Sequence, residues 1–149
     1  MKIYIRRAGF WNSKNREISS QFGHIMIEID DQFYSFTQSK FLNTNMATDN
    51  CVQVISREAF VNEYSGQVWN VVSFKNDDLL HSSVIEYFKK VAPTHDYSLK
   101  NNCTFECQSA LEAAGLKFKR KHIFPGFVYR ELNWRRFKEI TNGVKKTVI

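Results

Sequence analysis

In the first half of the chain, apolar positions recur with a period of two. Residues 2–7, KIYIRR, alternate apolar and basic side chains, the pattern of a strand with one wet face. After a polar, loop-like stretch (10–22), GHIMIEID and FYSFT read as two strands of a hairpin turning around Asp30–Gln32. CVQVIS (51–56) and QVWNVVSF (67–74) predict further strands, with REAFVNEY between them predicting a short helix. Residues 38–50, QSKFLNTNMATDN, carry no period and read as a long loop of the kind that borders a site.

The second half changes period. NDDLLHSSVIEYFKKV (76–91) begins at Asp77 or Asp78 as cap and puts Leu80, Val84, Tyr87, Phe88 and Val91 on one helical face, ending before Pro93. YSLKNNCTFECQSALEAAG (97–115) predicts a second helix, capped by Asn101 or Asn102 and closed by Gly115. FPGFVYRELNWRRFKEI (124–140) predicts a third, with Pro125 in its first turn. Nothing repeats and no linker divides the chain. The expectation is one α+β domain over 1–149, strands first and helices mostly afterwards.

Composition narrows the function classes. No apolar run is long enough for a membrane span, and charges stand in the N-terminal stretch where a cleavable signal needs its apolar region. The expected location is the cytoplasm as made, with any export by a dedicated secretion system. Net charge is +6, concentrated in KFKRKH (117–122), NWRRFK (133–138) and Lys145–Lys146. Such a surface attracts anionic polymers or simply keeps the chain solvated. No nucleic-acid motif, phosphate-cradling glycine loop or nucleotide fingerprint accompanies it, so neither nucleic acid nor a cofactor is expected.

Cys51, Cys103 and Cys107 do not form a disulfide framework and are read as reduced thiols. Cys103 opens the second helix, where unpaired first-turn amides lower a thiol pKa and can hold an oxyanion. Residues 103, 107, 110, 111 and 114 form a small apolar face suited to packing on a sheet, with Cys107 one turn deeper and inert. His24, directly after a glycine at a strand start, is the histidine placed to serve as base. His81 falls near a helix start, His95 in a loop and His122 in a basic run. A zinc site from His95, Cys103 and Cys107 is the metal alternative, but CxxC and HExxH patterns are absent and a fourth ligand is undefined.

FGHIMIEIDDQFYSF followed by YSLKNNCTFECQSALEAAG resembles the two signature blocks of circularly permuted papain-like proteins, a group with relatives of NlpC-type cell-wall peptidases and of lecithin retinol acyltransferase. The resemblance spans roughly residues 20–38 and 95–116, about a quarter of the chain. It implies a permuted papain-like fold, an antiparallel sheet packed against the cysteine-bearing helix, with Cys103 as nucleophile and His24 as general base. It also implies a polar residue on the next strand that orients the imidazole. Phe36 stands where the acyltransferase relatives carry a histidine. A register pairing Ile29 with Phe33 puts Gln38 opposite His24 for that role and turns Ser35 elsewhere. Tyr97 lies where papain-like enzymes place an oxyanion-hole side chain. The implied activity is a cysteine amidase or peptidase, a bacterial toxin cleaving peptidoglycan peptides with a cognate immunity protein as partner. A lipid acyltransferase or esterase and a non-catalytic basic binding module are the alternatives.

Overall fold

Two aspartates turn the central hairpin. Asp30 and Asp31 both sit in the left-handed region, at φ 49° and 59°, the requirement of a two-residue turn whose twist matches the flanking strands. A computed structural model of the chain, which describes residues 1–6, 23–37, 51–75, 78–133, 135–138 and 140–149, shows this turn joining β2 (His24–Ile29) to β3 (Gln32–Phe36). The pairing is Ile29 with Gln32, Glu28 with Phe33 and Ile27 with Tyr34. The expected pairing of Ile29 with Phe33 is thus one residue off, because Gln32 belongs to the strand and not to the turn. A one-residue slip exchanges the two faces of a strand, and Ser35 comes to the side of the sheet that carries His24.

Around the hairpin the chain builds a six-stranded antiparallel sheet. Its remaining strands are β1 (Lys2–Arg6), β4 (Val52–Ser56), β5 (Val68–Phe74) and β6 (Thr141–Val148), in the order β4-β3-β2-β1-β5-β6. The helices are α1 (Arg57–Glu63), α2 (Asp78–Glu86), α3 (Cys103–Ala113), α4 (Pro125–Leu132) and a short α5 (Arg135–Lys138). The chain is therefore mixed α and β, as the periodicity predicts.

Both faces of the sheet are covered. Ile3, Ile5, Ile25, Ile27, Phe36, Val52 and Val72 meet Cys107, Ala110 and Leu111 of α3 on one side. Tyr4, Met26, Phe33, Ile55 and Trp69 meet Phe60 and Tyr64, in and just after α1, on the other. β1 lies between β2 and β5, so Ile3, Tyr4 and Ile5 are all buried and the wet face expected of this strand does not exist. Its alternation marks two different cores.

Three further departures have local causes. α2 runs into a π-helical turn, Tyr87–Val91, and a tight 3₁₀ turn, Ala92–Thr94, that holds Pro93. The extra residue in the π turn shifts the helical phase of the side chains after it, so Val84 and Phe88 are buried while Val91 is 41% exposed instead of completing the apolar face. The helix expected over 124–140 is two helices, the first capped at Asn133. β6 lies on the sheet edge with most of its side chains wet, so its sequence carries no alternation and reads as a polar tail.

Urea denaturation checks this packing. Leu111→Ala, at a fully buried position, should cost ~2–5 kcal/mol. Val91→Ala should change stability by only ~0.5 kcal/mol or less. An equal loss from both would mean that α2 keeps its phase through Val91.

Candidate active site

The cysteine helix is held by its cap. Asn102 is buried and extended, and its Oδ1 accepts from the Thr104 and Phe105 amides at 2.9 and 3.2 Å. Its Nδ2 donates to the carbonyls of Leu99 and Ile123, both at 3.0 Å, tying the helix start to the loops on either side. Two of the first-turn donors that the sequence offers to an oxyanion are consumed in this way. The Glu106 amide bonds the Asn102 carbonyl. Among the described residues, the Cys103 N–H is the first-turn amide of α3 that keeps no acceptor.

Cys103 is buried, 7% exposed as a residue. Burial pushes the Cys103 pKa up, and the opposing pulls from the Ile25 main chain, the Thr104 hydroxyl and amide, and the Arg6 guanidinium are smaller. The low thiol pKa expected at a helix start is not found, because desolvation outweighs the helix-end field. Cys107 is fully buried, its thiol donates to the Ile25 carbonyl at 3.6 Å, and burial drives its pKa well above the ordinary thiol range. All three cysteines are free.

His24 opens β2 with a half-buried ring. Its Nε2 lies 3.2 Å from Ser35 Oγ, and Ser35 donates its own proton to the Ile25 carbonyl at 2.9 Å. With the hydroxyl hydrogen committed, Ser35 accepts from His24 Nε2–H and leaves Nδ1 as the basic nitrogen, a tautomer assigned from the network. The ring lies 6.3 Å from Tyr64 at 29° and 6.4 Å from Trp69. Burial first, and then the Arg6 charge, push its pKa down to about 3.

Thiol and imidazole therefore approach from the two faces of β2, around one peptide unit. Ile25 follows His24, bonds Cys103 Sγ through its main chain, and accepts from both Ser35 and Cys107 on its carbonyl. No direct hydrogen bond joins Cys103 to His24 among the described residues, and both groups are neutral at rest. Tyr97 stacks on Phe36 at 6.0 Å, and its pKa is pushed up to about 12 by burial and then by the neighbouring Cys103 and Cys51 thiols. Gln38 lies outside the described residues.

The sequence pattern left three contributors unseen. Ser35 was hidden by the register. Arg6 is the cross-strand partner of His24, with its guanidinium 5.9 and 5.6 Å from the Tyr64 and Trp69 rings and a hydrogen bond to Gln67. Tyr64 stands over His24 and carries a raised pKa, from burial first and then from Glu63 and Cys103, with the Arg6 charge opposing. The alternating KIYIRR was the available signal for Arg6, since every second side chain shares a face.

Two of the other histidines are engaged with buried carboxylates. His95 Nδ1 meets the fully buried Glu106 at 2.8 Å, and Tyr87 donates to the same carboxylate at 2.7 Å. His122 is buried against Glu131 at 2.6 Å. No group of three or more His, Cys, Asp or Glu is arranged to hold a metal among the described residues, and His95 turns to Glu106 instead of joining the two thiols. None of the described helices is long and apolar enough to cross a membrane. No family model, curated protein or solved structure matches the chain.

The depressed His24 pKa has a signed consequence. The unfolded chain binds a proton at pH ~6.5 and the folded chain only at about 3. Stability is therefore complete above the unfolded value and is lost progressively as pH falls through that interval. Guanidinium midpoints at pH 7 and 4.5 should show a smaller acid loss for His24→Gln than for wild type. Equal losses would mean that His24 charges freely in the folded chain.

Proposed function

We propose that the chain is a thiol-dependent acyl-transfer hydrolase, an amidase of permuted papain-like organisation acting on peptidoglycan peptides. The observation that carries the reading is the placing of a helix-start thiol, with its own amide open, against the main chain of Ile25, the residue that follows His24, with Tyr97 beside the thiol. The thiol starts neutral, so His24 acts as general base during attack rather than as half of a standing ion pair. Cys103 Sγ adds to the amide carbonyl carbon as Nδ1 takes the thiol proton. The Cys103 N–H and the Tyr97 hydroxyl donate to the oxyanion. Collapse expels the amine, which takes the proton from His24, and water then releases the acyl group from sulfur. The Arg6 charge favours the thiolate as it develops. The basic excess of +6 suits an anionic cell-wall polymer, and a toxin so directed calls for an immunity protein and a secretion apparatus as partners.

The rival reading is non-catalytic, with Cys103 as a packing residue inside a basic binding module. The raised thiol pKa is the observation in its favour. Mass spectrometry of muropeptide and lipid mixtures incubated with wild type and Cys103→Ser separates the two. Wild type should release a new amine or acid product and the variant none, while identical mixtures after both incubations would sink the acyl-transfer reading.

Two substitutions test the assigned roles. Tyr97→Phe should lower kcat on the order of 10²-fold if its hydroxyl serves the oxyanion, and an unchanged kcat would remove it from the site. Ser35→Ala should lower kcat with little change in KM, because Ser35 orients the base and forms no bond to substrate. A change confined to KM would assign Ser35 to binding.

A further inference from the structure

Gln53 is a buried polar side chain across the sheet from Ser35, and its own groups find nothing to bond among the described residues. It pairs across the sheet with Ser35, so both side chains leave the same face with Cβ atoms ~5 Å apart. It is 2% exposed, and neither Oε1 nor Nε2 has a hydrogen-bond partner among the described residues, although folded chains satisfy nearly all such groups. Ser35 meanwhile is the link that orients His24, accepting from Nε2–H and donating to the Ile25 carbonyl, which Cys107 also uses.

We propose that Gln53 is a positioning residue for His24, acting through Ser35 by accepting the serine hydroxyl hydrogen when the imidazole becomes charged. At rest that hydrogen points to Ile25. When His24 takes the proton of Cys103, its Nε2–H becomes a stronger donor and draws on Ser35 Oγ. Turning the Ser35 hydroxyl to a carboxamide oxygen with no other partner makes Oγ a better acceptor, because hydrogen bonds in a chain polarise one another. No bond to hydrogen breaks in this step: the Ser35 hydrogen stays on Oγ and changes only its acceptor. An acceptor left unpaired in the resting chain is thus one held ready for the charge that appears during reaction. The inference rests on the acyl-transfer reading of Cys103 and His24.

Iodoacetamide alkylation of Cys103, followed by peptide mass spectrometry near neutral pH, tests it without a known substrate. The proteins compared are wild type, His24→Ala, Gln53→Met and Gln53→Glu, each with its thermal midpoint. Gln53→Met keeps the shape and removes both polar atoms. It should lower the alkylation rate roughly three- to tenfold, the fold-change of one ordinary hydrogen bond, with an equal or higher Tm. Gln53→Glu, which returns an acceptor oxygen to the same place, should restore most of the rate. Equal rates in wild type and Gln53→Met would overturn the inference, as would equal losses in the Met and Glu variants. A lower Tm for Gln53→Met would also overturn it, by showing that the carboxamide is already paired at rest. Alkylation that does not depend on His24 would sink the acyl-transfer reading itself, and the inference with it.

Discussion

The two-residue turn at Asp30–Asp31 sets the register on which the candidate site depends. Both residues hold positive φ, and Asp31 is anchored from outside the hairpin by the Arg57 amide and by Arg57 Nε at 2.9 and 2.6 Å. With Gln32 in the strand, β3 presents Ser35 to His24 and Gln53 of β4 to Ser35. One more residue in the turn would exchange the faces of β3, sending Tyr34 and Phe36 to the His24 side. The bond from imidazole to serine, with Gln53 next across the sheet from that serine, exists only in the observed register.

The same compactness governs the electrostatics. A helix start favours thiolate, yet thiol and imidazole are both driven toward neutrality by burial, the thiol in the core beneath α3 and the imidazole against the aromatic cluster of Tyr64 and Trp69. Arg6 sharpens this division, since its charge lowers both pKa values: it opposes the imidazolium and favours the thiolate. A thiol held neutral in this way carries no reactive thiolate at rest, which protects the buried Cys103 from adventitious oxidation.

Along α3 and the loops beside it, the buried carboxylates and the Gln108 carboxamide are paired. Glu106 binds His95 and Tyr87, Glu131 binds His122 and the Lys119 amide, and Gln108 bridges the Arg120 carbonyl and the His122 amide at 2.7 and 2.9 Å. α3 is therefore enclosed well beyond its apolar face, with Thr104, Glu106 and Gln108 fully buried. These contacts fasten the cysteine helix to the loops before and after it, so that the thiol position is set by polar bonds as much as by packing.

The strands up to residue 74, the three main helices, an asparagine cap at 101 or 102 and the Cys107–Leu111 packing face were determined by the sequence alone, because each is a local pattern: period two, period 3.6, a side-chain acceptor before a helix; the structure chose Asn102. The same locality allowed Cys103 and His24 to be singled out by residue type and position in their elements, while Tyr97 was named only through the family resemblance. Register, edge placement and burial are properties of neighbours distant in the chain, and only the tertiary structure decided them. One residue in a turn moved Ser35 to the imidazole, Gln38 falls outside the described residues, and the polar β6 became a strand because β5 offered it an open edge. The pKa directions of Cys103 and His24 belong to this second group as well. A charge's environment is the sum of everything packed around it, and no stretch of sequence contains that sum.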